Sequence, residues 1–222
     1  MLQVRNVGGI KMALKESLEK VLIELRKTKE RKFDQTFDLM INLQKYDLKK
    51  NPINIFVSLH HNIKEKKICG FLEVKNKNID TITKDEFKRY SDKKELKKIV
   101  KKFDFFIAQA SLMANVATTF GRVLGPAGKM PSPQMGILIN VNDKEINDLK
   151  ERINHSVRIR TKEPSIKLAV GKQSMKDEEI IENIVTIYDS VLKVLAKGKE
   201  NIKNIEVKLT MTKPIKISPN EI

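Results

Sequence analysis

Tryptophan is missing from this chain, cysteine occurs once and histidine three times, and aromatic residues make up 5% of its 222 positions. Each shortage closes a route. Cys69 alone cannot build a disulfide framework, so a reducing compartment is expected. His60, His61 and His155 with one cysteine cannot supply a four-ligand zinc site of Cys and His at familiar spacing, and no metal or cofactor is expected. No apolar run approaches the ~20 residues that a spanning helix needs. The early apolar residues are interrupted by charge, so no signal peptide is expected either. Acid is scarce too: 28 Asp and Glu face 44 Lys and Arg, a net charge of +16. A soluble chain this basic calls for a polyanionic partner, nucleic acid first and an anionic membrane surface second.

What is present suffices for a globular protein. Hydrophobic residues are 40% of the chain, and the length allows one or two domains with a sizeable core. Residues 11–25 place Leu14, Leu18, Val21, Leu22 and Leu25 on one helical face. Phe37, Leu39, Ile41 and Leu43 then alternate with polar neighbours, as do Ile53, Ile55, Val57 and Leu59, so both stretches read as half-buried strands. They are candidates to pair, across a linker that permits other arrangements.

From about 63 to 154 the pattern changes. Ile68–Val74, Phe103–Ala108 and Ile137–Val141 read as strands buried on both faces. Between them, 84–102 and Ser111–Arg122 read as helical, and Asp143 as the N-cap of a helix carrying Ile146, Leu149 and Ile153. Alternating buried strands and helices imply a parallel sheet covered on both sides, a Rossmann-like three-layer α/β domain. After Val157 half-buried strands return at 157–160 and 166–170. A strong amphipathic helix follows at 177–195, with Gly198 as its stop, and a last strand runs over 205–211. The economical arrangement is an insertion: 1–62 with 155–222 as an α+β two-layer domain, interrupted by 63–154.

Catalytic signatures fail on inspection. Gly121, Gly125 and Gly128 do not give the dinucleotide spacing. Before Gly128-Lys129, Val123 stands where a phosphate loop needs glycine, and Met130 stands where it needs Ser or Thr. Ser111 and Ser132 lack a nucleophile-elbow context. Glu178-Glu179 reads as helix-capping charge, and His60-His61 as a turn. An enzyme acting on a nucleotide stays open only as a lesser alternative, beside a free-standing regulator that binds RNA or DNA.

The densest stretch is Arg122–Gly136, where three glycines and three prolines fall in fifteen residues. Gly125, Gly128 and Gly136 permit backbone closed to other residues, while Pro126, Pro131 and Pro133 fix φ and remove donors. The stretch therefore reads as a shaped loop; a stiff surface connection would have the same composition. Its order, Arg122-Val-Leu-Gly125-Pro126-Ala-Gly128-Lys129-Met130-Pro131-Ser-Pro133 and then Gly136, resembles the signature of the large-subunit ribosomal protein L-one family. The Gly-Lys-Met form is closest to the archaeal branch. Arg31-Lys32-Phe33-Asp34-Gln35-Thr36 resembles the family's Arg-Lys-Phe-Asp-Glu-Thr. Val207-Lys208-Leu209-Thr210-Met211-Thr212-Lys213 resembles Val-Lys-Thr-Thr-Met-Gly-Pro, with Thr212 and Lys213 in place of Gly and Pro. Val170-Gly171-Lys172 matches a strand end of the family.

The resemblance covers nearly the whole chain. It implies a two-domain α/β fold and no enzyme activity. It implies a structural protein of the cytoplasmic large ribosomal subunit that binds the large-subunit rRNA stalk. Release of deacylated exit-site tRNA and repression through the protein's own mRNA would follow, as would a monomer when free and no membrane partner. The expected RNA face lies on the terminal segments: Lys32, Phe33, Thr36, Lys167, Gly171, Lys172, Asn204, Lys208, Thr210, Met211, Thr212 and Lys213. A ring beside lysine can stack on a base or ribose while the ammonium meets a phosphate. Met packing flat on sugars excludes water around the few hydrogen bonds, which strengthens them. Phe33 covering a core edge is the alternative reading of that residue, and Gln35 removes a charge near the face.

Overall fold

The computed structural model of the chain describes residues 7–217, apart from 30, 49, 140 and 162. The chain separates into two compact units, one built from Met1–Ile63 with His155–Ile222 and one from Lys64–Asn154. Helices, an antiparallel sheet and a parallel sheet make it a mixed α/β protein.

The two-segment unit is a four-stranded antiparallel sheet under two helices. Helices α1 (Val7–Arg26) and α5 (Asp177–Val194) cover one face of β1 (Thr36–Leu43), β8 (Ser165–Lys172), β9 (Ile202–Leu209) and β10 (Ile215–Ile217), ordered β10-β9-β1-β8. Strict alternation decides which face is buried. Phe37, Leu39, Ile41 and Leu43 of β1 meet Ile205, Val207 and Leu209 of β9 and the helix stripes, while Thr36, Asp38, Met40 and Asn42 face away and stay half-exposed. The acids Asp177, Glu178 and Glu179 fill the first turn of α5, where Glu179 accepts the Lys176 amide.

Several expectations for this unit change. β1 does not pair with β2 (Asn54–Ser58). Its neighbours are β8 and β9, and β2 pairs with β7 (Ser156–Arg160), with Val57 opposite Val157. Both strands carried the same period-two pattern, which says which face is buried but not which partner is adjacent. The last strand ends at Leu209 rather than 211, because the chain turns at Thr210–Lys213 and returns as β10, which the sequence reading missed.

The central unit has a parallel sheet ordered β4-β3-β5-β6, from β3 (Ile68–Phe71), β4 (Asp80–Ile82), β5 (Phe105–Gln109) and β6 (Ile137–Leu138). On one face Phe71, Phe106 and Phe120 pack with residues of α2 (Lys93–Lys102) and α3 (Met113–Ala127); on the other, Ile68, Leu72 and Ile107 pack with α4 (Asp143–Asn154). The layers match the Rossmann-like reading. Ile68–Val74 and Ile137–Val141 are shorter strands than their apolar runs, since Val74 and Ile139 project into solvent; Asn140 lies outside the described residues. Asp143 is the first residue of α4 rather than its N-cap, because the helix opens on the Asn142 carbonyl.

The largest correction concerns Arg122–Gly136. Its first half is helix: α3 continues through Arg122, Gly125 and Pro126 to Ala127. Pro126 sits in the final turn of α3, where only one carbonyl loses its donor and no helix follows. Gly125 has a helical backbone with open space at its Cβ position, so no special conformation is required there. Gly128 ends the helix at φ 70°, with its amide on the Gly125 carbonyl and the Lys129 amide on Leu124, the paired bonds of a Schellman stop. Lys129–Gly136 is the shaped loop. Pro131 is buried, Met130 packs on the aromatic core, and Gly136 at φ 121° lets its carbonyl accept the Ala108 amide at 2.7 Å.

Candidate nucleic-acid interface

The end of the antiparallel sheet where β1 begins and β8 and β9 finish gathers most of the expected residues. Register puts Thr36 opposite Lys172, and Asp38 opposite Lys208. The amide of Thr36 donates to Thr210 Oγ1 at 3.2 Å, and the Thr210 amide returns a bond to the Thr36 carbonyl at 3.1 Å. Phe33 and Met211, apolar side chains 51% and 58% exposed, stand at this same end without a core to cover them. Phe33 is therefore not filling a core edge. With Arg31, Lys32, Asp34, Gln173 and Ser174 it lines a shallow hollow.

A buried amide beneath holds the end together. Gln35 is 1% exposed. Its Oε1 accepts the Met211 amide and its Nε2 donates to Gln173 Oε1, each at 3.3 Å, while its carbonyl accepts the Gln173 amide at 2.7 Å. Gln35 thus lies under the face, tying the turn after β9 to the turn after β8. Asp34 adds a second tie, accepting the Ser174 amide and hydroxyl. Arg26 adds a third. Its guanidinium reaches Asp177 Oδ1 at 2.6 Å and the carbonyls of Gln173 and Met175, and lies over the Phe37 ring. Sequence reasoning missed these supports. Gln35 was detectable, since it continues the inward parity of Phe37 and Leu39. Arg26 was too, four residues after Leu22 on the apolar stripe. The Asp34–Ser174 contact joins residues 140 apart and has no local signal.

Two expected contacts have internal tasks. Gly171 is buried, and a Cβ there would meet Ile180 Cγ1 at 2.8 Å, so glycine is needed for helix packing. The Thr212 hydroxyl accepts the Leu209 amide at 2.9 Å and closes the turn, so a β-branched residue stands at this position without opening the bend.

The rest of the open face has mixed charge. Lys172 lies 3.8 Å from Asp34, Lys167 3.3 Å from Glu163 and Lys216 3.9 Å from Glu206. Burial pushes the Asp38 carboxyl above its ordinary range, against the pull of Lys208. At the far end Asn42 donates to Asn204 Oδ1 at 2.8 Å, and Asn204 donates to Glu206. Lys32 and Lys213 are exposed at the near end. The face therefore offers hydroxyls, amides, two apolar side chains, and cations of which three lie beside acids. Such a set suits hydrogen bonds to sugar hydroxyls and base edges with shape complementarity.

The signature residues belong to the central unit. The Lys129 ammonium donates to the carbonyls of Val100 and Phe103, both at 2.7 Å, and so closes the C-terminal end of α2. Arg122 and Pro133 are exposed. Among the described residues no cluster of His, Cys, Asp and Glu could hold a metal ion. His61 bonds instead to Glu182 Oε2 at 2.9 Å, which holds that carboxyl below its usual range. No helix is long and apolar enough to cross a membrane among the described residues.

The sequence model of the Ribosomal protein L1p/L10e family matches residues 25–213. Relatives include the "Large ribosomal subunit protein uL1" of Methanocaldococcus jannaschii, 37% identical over 91% of this chain and 95% of the relative. The proteins of that name from Methanothermococcus thermolithotrophicus and Nanoarchaeum equitans are 38% and 32% identical, over 91% and 86% of this chain and 98% and 95% of theirs. A match of this extent, spanning both units and the signature between Arg122 and Gly136, places the chain in the Ribosomal protein L1p/L10e family.

Proposed function

We propose that this chain is a structural, non-catalytic constituent of the large ribosomal subunit in the cytoplasm, and that it binds the large-subunit rRNA stalk through the sheet end of its two-segment unit. The observation that carries the reading is the Gln35 tie, which bonds the Met211 backbone to the strand entry that carries Phe33 and Thr36, with Phe33 and Met211 both exposed. An exposed thioether and ring, flanked by Thr210, Thr36, Lys32 and Lys172, form a platform for unstacked nucleotides. Lys208 and Lys213 add phosphate contacts, and Lys167 and Asn204 extend the platform along the open face. Phosphate contacts supply affinity that falls with salt, while the 2′-hydroxyl and base contacts supply selectivity.

The same face serves two further tasks in this proposal. Holding the mobile stalk lets the protein assist the departure of deacylated tRNA from the exit site. A messenger segment folded like the stalk competes for the face and represses translation of the protein's own mRNA. Free in solution, the chain is a monomer. The test is binding of the full chain to the isolated stalk fragment with a scrambled duplex as competitor, over a range of salt. Selective binding that survives salt and is lost in Met211→Asp supports the reading; equal affinity for both RNAs refutes it.

A further inference from the structure

The central unit carries a surface that the proposed stalk contact does not use. The sequence of α2 is Lys-Lys-Glu-Leu-Lys-Lys-Ile-Val-Lys-Lys. Leu96 is buried and Ile99 and Val100 are half-buried against the aromatic core, which turns Lys94, Lys97, Lys98, Lys101 and Lys102 outward. Helical spacing sets Lys94 beside Lys97 and Lys98, and Lys98 beside Lys101 and Lys102. Like charges at these separations oppose helix formation. The helix is nonetheless fastened at both ends. The Asp92 carboxylate accepts the Lys94 amide at 3.0 Å, and the signature residue Lys129 binds the carbonyls of Val100 and Phe103. Lys102 has Asp80 at 3.5 Å and the Phe103 ring beneath it. Lys94, Lys97, Lys98 and Lys101 make no ion pair with any described residue. The signature thus fixes the position of a helix whose four outer lysines repel one another and, although Glu95 shares the helix, have no described carboxylate within ion-pair distance.

We propose that the outer face of α2 is a second nucleic-acid contact, one that grips the phosphate backbone of duplex RNA without reading its sequence. No large apolar side chain is exposed on α2, so it lacks the anchor of a membrane-surface helix. It equally lacks the aromatic or apolar centre of a protein interface, where lysine is depleted. A row of flexible ammonium groups fits a repeating phosphate array. The proposal rests on α2 alone and does not depend on the sheet end.

The experiment titrates a scrambled 20-bp RNA duplex with the full chain over a range of salt. One variant replaces Lys94, Lys97, Lys98 and Lys101 with Gln, which keeps helix propensity. A control replaces Lys67, Lys77, Lys144 and Lys150 with Gln, removing the same charge from the same unit outside α2. The α2 variant is expected to lose about tenfold or more in affinity at ~0.1 M salt, with the log–log salt slope shallower by about two to three. The control is expected to change by less than about threefold. Equal losses in both variants would overturn the proposal by reducing it to net charge. No loss in either would overturn it as well. So would unchanged RNA affinity in an α2 variant that has lost binding to vesicles containing phosphatidylserine.

Discussion

Three lysines of the antiparallel-sheet unit stand beside carboxylates, whereas four lysines of α2 do not. Lys172, Lys167 and Lys216 each lie within 4 Å of an acid, and Asp38 pairs across the sheet with Lys208. On α2 the only acid is Glu95. The difference separates two uses of positive charge. A compensated face loses little Coulomb energy in salt and leaves discrimination to hydrogen bonds and shape. An uncompensated helix attracts any polyanion and weakens steeply as counterions are added. The net charge of +16 is therefore a poor guide to where selectivity resides.

The most damaging single change to the selective side is Met211→Asp. It adds a charge at an exposed turn tip, so thermal unfolding stays put while affinity for the stalk fragment drops by about a hundredfold or more, since an unpaired charge is desolvated against phosphate. Next comes Gln35→Leu. It strands the Met211 amide and the Gln173 side chain, at a cost of about 1–3 kcal/mol in stability. Denaturant unfolding measures that loss, and stalk affinity falls with it by roughly tenfold as the Met211 turn loosens.

Lys129→Met acts on the other unit. Freeing the Val100 and Phe103 carbonyls costs about 1–2 kcal/mol there, discounted because the ammonium is partly solvated. The Cys69 thiol reports it. The thiol is buried, and burial with the nearby Asp80 pushes its pKa up to about 12. It is thus inert to alkylation in the folded unit and reacts faster in Lys129→Met, while stalk affinity holds. The smallest effect is that of the four α2 substitutions on the isolated stalk fragment, about threefold or less in ~0.3 M salt, where exposed charges are screened. A loss there larger than that of Met211→Asp would move recognition onto the central unit.

Much of the fold was legible in the sequence. Period-two alternation over 37–43 and 205–209 identified the buried face, and doubly apolar runs identified the parallel sheet. The terminal segments at 31–36 and 207–213 were singled out as the RNA face by resemblance, and they do meet at one sheet end. Partnership between strands was not legible, because β1 and β2 share one pattern and only the fold decides that β9 and β8 flank β1. Nor was the helical half of Arg122–Gly136. Gly and Pro argue for a loop locally, yet the packing of Val116, Phe120 and Leu124 carries α3 one turn further. Gln35 reads only as a lost charge near the RNA face, yet its inward parity makes it a buried support.

Hydrogen–deuterium exchange of the full chain, with and without the stalk fragment in ~0.3 M salt, tests the division most directly, because exposed charges contribute little there. The account predicts added protection of the amides in 31–37 and 209–213, with exchange in 93–102 unchanged. Protection confined to 93–102, with the sheet end exchanging as in the free protein, would contradict it.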